Sequence, residues 1–258
     1  MMRYSLPNGV IIKTENAAKP DVQASRALSD YISRLEPVRS SFDYGCGKLR
    51  YVKPILATTE TLTVVDSEIQ IGRTQTIHGN ITSIKDVARR SNHLAAVNVM
   101  EFSHNQVEFD RGFCINVLSV IPFFSARRRA LSLIRQRLCA GGTCLFVVQY
   151  RNSDFSRMRK LPNARPWRDG FLMDSFRGYS YYGLISPKKL TALIADAGFQ
   201  VLDQTLDEGR VFLMARSPQK PLTEIEVVDE TNFKIRKKLD CPAYASVASY
   251  SSFHASAG

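Results

Sequence analysis

The 258-residue sequence contains no C-x-x-C pair, and its five cysteines (Cys46, Cys114, Cys139, Cys144 and Cys241) are odd in number. All but Cys241 lie in apolar or glycine-rich stretches, which suits core thiols in a reducing compartment better than a disulfide framework. His78, His93, His104 and His254 lack metal-ligand spacing with each other or with cysteine, so no metal site is expected. No run of about 18 apolar residues exists to span a bilayer, and the opening MMRYSLPNGVIIK has no signal-peptide core. Together these absences predict a soluble, cytoplasmic protein with no membrane partner. Acid is scarce in one region only. Residues 111–190 hold 15 Lys and Arg against 3 Asp and Glu, a net of +12; residues 1–110 hold 13 against 12, and residues 191–258 hold 7 against 9. The overall charge of +11 is therefore one central block, which can attract polyanions or be an ordinary solvated face.

Hydrophobic residues make up 44% of the chain and charged residues 23%, which excludes wholesale disorder and permits a core that needs no staples. Residues 21–36 carry apolar positions at helical spacing, with Asp21 as the expected N-cap after Pro20. Residues 40–44 lead into Gly45-Cys46-Gly47, read as a strand ending in a glycine turn. A helix should follow, and Pro54 fits it only in a first turn from about Tyr51, or else kinks it. Leu62 to Asp66 reads as a buried parallel strand. Residues 69–93 are ambiguous, with a helix over 84–90, and Leu94 to Val99 suits another strand. FCINVLSVI (113–121) predicts a strand and the turn after it.

The clearest helix is 125–139, with Ala130, Leu131, Ile134 and Leu138 on one face, Ser125 as its cap, Gly141-Gly142 as its stop and five arginines off that face. Thr143 to Tyr150 is a buried strand. Residues 151–185 show no sustained period and read as a long loop, either functional or disordered. Ser186-Pro187 opens a helix through Ala197, and 199–206 pairs with 211–215 across Asp207-Glu208-Gly209. Alternating strands and helices predict an α/β fold, a mostly parallel sheet with helices on both faces and an antiparallel terminal hairpin. The domain is expected over 1–217, with 218–258 an extended or partly disordered C-terminal extension.

In such sheets ligands bind beyond the carboxyl ends of the strands, where strand order reverses. The first strand ends in Asp43-Tyr44-Gly45-Cys46-Gly47, whose glycines let backbone pass close to a ligand. The second ends in Asp66, placed to accept both hydroxyls of a ribose. A nicotinamide dehydrogenase shares the turn, but Arg50 stands where its last glycine would be.

FDYGCGKLRY resembles the D-x-G-C-G first motif of class I S-adenosylmethionine-dependent methyltransferases. VVDSE, FDRGFCINVLSVIPF, LIRQRLCAGGTCLFVV and ISPKKLTALIADAGFQVLD are similar to later motifs in the same order, over about residues 25–216. DYGCGK and the Tyr-rich end of 151–185 also resemble uncharacterised methyltransferases found near DNA-modification genes. The resemblance implies a Rossmann-like seven-stranded sheet and S-adenosyl-L-methionine as cofactor. By position Asp43 would orient the methionine amino group, with Gly45, Cys46 and Gly47 beside it. Asp66 would hold the ribose, Asn98 (or Asn80) would contact adenine, and Asn116 would face the methyl group. The sequence departs from the family in Leu49, which replaces the usual third glycine, and in Pro54. It has no D-P-P-Y, N-P-P-Y or Pro-Cys motif, which disfavours ordinary base methylation.

The resemblance therefore predicts methyl transfer to an unidentified acceptor. The basic 111–190 block makes a nucleic acid or nucleotide-like acceptor the expectation. A non-catalytic methyltransferase-like binding module is the alternative. The basic and aromatic mixture of 151–185 suits phosphates with stacked bases, and equally a lid packed over the cofactor.

Overall fold

The computed structural model describes residues 3–6, 8–151 and 153–218. The extension expected over 218–258 lies, beyond Pro218, outside the described residues, as do Cys241 and His254.

The seven strands of the main sheet are β1 (Val38–Tyr44), β2 (Thr59–Asp66), β3 (Leu94–Asn98), β4 (Phe109–Ile115), β5 (Leu138–Gln149), β6 (Gln200–Asp207) and β7 (Arg210–Arg216). They lie in the order β6-β7-β5-β4-β1-β2-β3, and β7 alone runs antiparallel to its neighbours. This is the expected α/β architecture, with strand order reversing between β1 and β4. Successive side chains of a strand leave opposite faces. Cys114, Phe146 and Val148 accordingly join one core with α6 (Phe124–Gln136) and α8 (Pro187–Asp196), while Phe113, Ile115, Leu145 and Val147 join the other. The second core lies against α1 (Arg26–Ser33), α2 (Val52–Leu56) and α4 (Ile84–Arg89). Both faces of the central strands are buried, which is why they read as continuous apolar runs.

Local chemistry sets most boundaries. Pro54 sits in the first turn of α2, after Tyr51, where a missing N–H costs nothing. The Ser186 hydroxyl accepts from Lys189 N to start α8, with Pro187 in its first turn. Two expected caps are displaced. Asp21 opens a short 3₁₀ turn (Asp21–Gln23), and α1 starts only after Ser25, whose Oγ accepts from Leu28 N. Helix α6 begins at Phe124, without a side-chain cap, so Ser125 lies inside it. Gly141 and Gly142 do not stop α6. They lie within β5, whose register against β4 jumps from Phe109↔Leu138 to Arg111↔Thr143. Strand β4 ends at Ile115 and a 3₁₀ turn takes Leu118–Val120, so FCINVLSVI is the strand and following turn that the sequence predicts.

The stretch read as aperiodic has regular structure. After α7 (Ser153–Met158), the segments Ala164–Trp167, Gly170–Met173 and Ser180–Gly183 form an antiparallel three-stranded flap. An N-terminal hairpin, Arg3–Ser5 with Ile11–Lys13, joins it where Lys13 N donates to Tyr179 O. No helix of the described residues is long and apolar enough to cross a membrane.

Candidate functional site

The main cleft opens beyond the carboxyl ends of β1, β2, β4 and β5, at the reversal of strand order. Its empty space, counted out to solvent, is about 1100 Å³. Its floor is the turn after β1. Gly45 N and Cys46 N both donate to Val65 O, so the turn folds back over β2. Gly45 has φ +81, and a Cβ there would lie 2.3 Å from Val117 Cγ2. Only glycine meets both demands. Gly47 has φ +58, and its N–H donates to Asp66 Oδ2 at 3.0 Å, while Asp66 Oδ1 accepts from Ser67 N at 2.7 Å. The second-strand acid therefore ties the glycine turn down as well as facing the cleft.

Leu49 stands in place of the usual third glycine, yet it keeps a left-handed backbone at φ +60 with its side chain fully buried. The turn survives the substitution at a cost of about 1–2 kcal/mol in backbone strain.

The floor is acidic and buried. Asp43 is 4% exposed and Asp66 6%. Burial, and secondarily the nearby Asp66 charge, pushes the Asp43 carboxyl up to about 7, with Arg50 opposing. Burial likewise raises Asp66 to about 6, against the hydrogen bonds from Ser67 and Gly47. The Cys46 thiol is held well above its ordinary value by burial and both carboxylates, which makes it an inert small residue rather than a nucleophile. Asn116, just past β4, has φ +59, and its Oδ1 is buried without a hydrogen-bond partner, as is Gln70 Oε1. Strained backbone and unsatisfied polar atoms gathered in one cleft are what a ligand would relieve.

Of the sequence-derived residues, the structure brings Asp43, Gly45, Cys46, Gly47, Asp66 and Asn116 to this cleft. Asn98 is elsewhere. It caps α5 (Val99–His104) in a reciprocal capping box with Glu101, its Nδ2 donates to Glu68, and it is not among the residues that line the cleft. Asn80 lies in an exposed hairpin, bonded to His78 O.

Two side walls flank the floor; sequence reasoning missed the first and, of the second, reached only the residues of the 151–185 segment. One is the N-terminal 3₁₀ segment Thr14–Ala17 with Ala18 and Lys19, held by the ion pair of Arg3 with buried Glu15. No local signal marks it. The other is formed by Ser119, Val120, Tyr182 and Gly183. Arg127 pins it. Nε donates to Leu118 O and Ile121 O, and the guanidinium grips Asp169 in the flap by two bonds, of 2.6 and 3.2 Å, while Tyr181 donates to the same carboxylate. Arg127 is 5% exposed, so the expectation that the arginines of this helix lie off its apolar face is corrected at Arg127. Arg137 is buried too, bonded to Ser103 O. A signal did exist: Arg127 shares the i, i+3, i+4, i+7 stripe with Ala130, Leu131 and Ile134.

No protein-family model matches the chain. The uncharacterised protein YmfD of Escherichia coli (strain K12) is 31% identical to it over 220 residues, covering 84% of this chain and 96% of that protein. Among solved structures, the chain is similar to an O-methyltransferase family protein from Burkholderia thailandensis, with a TM-score of 0.52 and 14% identity over 80% of its length. It spans only 58% of that protein. It is also similar to the 1,6-didemethyltoxoflavin-N1-methyltransferase of the same organism, solved with 1,6-didemethyltoxoflavin and S-adenosylhomocysteine. There the TM-score is 0.52 with 16% identity, over 75% of this chain and 78% of that one. At these identities the likeness establishes a shared fold.

Proposed function

The chain belongs to the family of the Escherichia coli protein YmfD, and we propose that it is an S-adenosylmethionine-dependent methyltransferase. The observation that carries this reading is the cleft floor: two buried acids, Asp43 and Asp66, flank a glycine turn at the reversal of strand order. The fit to the cofactor is chemical. A cationic ligand favours the ionised form of the raised carboxyls. The turn that lines the cleft requires glycine at position 45, where Val117 packs against the backbone.

In this reading Asp43 orients the ammonium of the methionine moiety, Asp66 accepts the ribose hydroxyls, and Gly45, Cys46 and Gly47 lie along the cofactor. Asn116 faces the transferable methyl group. Asn98 and Asn80 have no place in it. The sulfonium supplies the activated methyl, so the chain's own task is alignment and exclusion of water. The buried floor and the two pinned walls suit that task.

Calorimetry with S-adenosylmethionine and S-adenosylhomocysteine tests the reading. Asp66→Ala should weaken binding by roughly 30- to 100-fold, about 2–3 kcal/mol, because it removes a charge-assisted bond to the ligand and the tie to Gly47. Absence of binding by the wild type, or unchanged binding in the variant, would sink it. The second reading, a non-catalytic binding module, draws on the missing acceptor-holding motif after β4. Tritiated-methyl transfer into lysate fractions separates the two, because any labelled acceptor excludes a purely non-catalytic role.

A further inference from the structure

The charged residues that line the cleft are segregated along the chain. Glu15, Lys19, Asp43, Lys48, Arg50 and Asp66 all come from the N-terminal segment, from the end of β1 with the turn after it, and from the end of β2. From Ile115 onward, no described residue of the lining is charged. That second half is built by the ends of β4 and β5, by α7 and by the flap. Asn116, Val120, Gln149, Phe155, Met158 and Tyr182 represent it, each of them half-buried. In the sheet, β4 and β5 lie on the other side of β1 from β2 and its ribose-side acid. The contrast with the surrounding chain is large, because residues 111–190 carry 15 Lys and Arg. Three of these cations are buried, and each bonds elsewhere: Arg111 to Glu36 O, Arg127 to Asp169 and Arg137 to Ser103 O. The basic block thus puts no described cation into the lining of the cleft.

Resting on the methyltransferase reading of the same cleft, we propose that the methyl acceptor is a small uncharged aromatic compound with a nucleophilic O–H or N–H, seated among the ends of β4 and β5, α7 and the flap. An ion entering this half would shed its water without gaining a counter-ion. An apolar ring gains the aromatic and thioether side chains of Phe155, Tyr182 and Met158. The amides of Asn116 and Gln149 add hydrogen bonds without net charge. Asn116 Oδ1, buried without a partner, calls for a donor. The acceptor's heteroatom lone pair forms the new bond to the methyl carbon as the C–S electron pair returns to sulfur, and the heteroatom's proton passes to water.

Fluorescence titration of the full chain, saturated with S-adenosylhomocysteine, tests this with two probes of one shape. They are 2-naphthol, whose phenol-like hydroxyl stays protonated at pH 7, and 2-naphthoate, which is an anion there. 2-Naphthol should bind, and 2-naphthoate at least about tenfold more weakly. Val120→Arg places a cation in the uncharged half and should cut that preference at least about fivefold. Leu202→Arg, near the start of β6 and so at the opposite end of the sheet, should change it by less than about twofold. Phe155→Ala should weaken 2-naphthol at least about threefold. Naphthoate that binds as tightly as naphthol, equal effects of the two arginine variants, unchanged naphthol affinity in Phe155→Ala, or displacement of naphthol by a single-stranded oligonucleotide would each overturn the proposal. Lack of 2-naphthol binding by a chain that still binds S-adenosylhomocysteine overturns this inference alone. Loss of S-adenosylhomocysteine binding by the wild type overturns the methyltransferase reading instead. Retained S-adenosylhomocysteine affinity identifies each variant as folded, and the Phe155→Ala arm decides the matter should Val120→Arg lose it.

Discussion

The floor of the cleft and its walls are built on opposite principles. The floor works against stability: it buries Asp43 and Asp66 with raised pKa values, places Leu49 and Asn116 in left-handed backbone and leaves Asn116 Oδ1 unsatisfied. The walls work for stability, because their buried charges are paired, Arg3 with Glu15 and Arg127 with Asp169 and Tyr181. A site poised to bind is tolerated because its surroundings over-determine it. Strain of this kind belongs where a ligand can relieve it, and paired charge belongs where the frame must hold.

The contrast breaks most directly at Arg127. Arg127→Ala removes two bonds to backbone carbonyls and leaves Asp169 without its cationic partner, with only the Tyr181 hydroxyl donating to it. It should cost about 3 kcal/mol, near the lower bound for breaking a buried pair because Asp169 is partly exposed. Denaturant unfolding reads this out, and a loss below about 1 kcal/mol would mean that the pin does not hold the wall.

The floor sharpens the contrast by its pH dependence. Both carboxyls bind protons more tightly folded than unfolded, so the folded state holds more protons between about pH 4 and 7. Without ligand, stability from this pair should fall as pH rises through that window and level off above it. The fall is on the order of 1–3 kcal/mol. Asp43→Asn should flatten the slope and raise the thermal midpoint at pH 7.5, whereas a wild-type midpoint that rises from pH 5 to 7.5 contradicts the account. Affinity for a cationic ligand should run the other way and tighten as pH rises.

The smallest effect is at Leu49. Both truncations open a cavity, but Leu49→Gly also relieves the left-handed strain, so it should be about 1 kcal/mol more stable than Leu49→Ala. In an ordinary right-handed or extended segment the order is reversed. An alanine variant equal to or better than the glycine variant would remove Leu49 from the strained floor.

The floor was legible in the sequence because its signals are local. Asp43, Gly45 and Gly47 stand within five residues, Asp66 closes the next strand, and the central strands announce themselves as apolar runs. The helices of 124–136 and 187–196 follow from periodicity and, at Ser186-Pro187, from a cap. The failures share a cause. Asn98 stands where spacing along the chain suggests an adenine contact, but it caps α5 and bonds Glu68 rather than lining the cleft. Arg127 was assigned outward by residue type although its position lay on the apolar stripe. The flap lacks a continuous period because its short strands are interrupted by turns, including Arg168 at φ +52.

The sequence by itself determined the order of strands and helices, the glycine turn and the two acids, since each depends on residues close together in the chain. Only the tertiary structure decided which arginines are buried in the scaffold, and that residues 14–19 and the flap both line the cleft above its buried acids. Those properties arise between segments distant in the chain, 34 residues for Arg137 and Ser103, 42 for Arg127 and Asp169 and 75 for Arg111 and Glu36, where burial and pairing, rather than residue type, set the role of a charge.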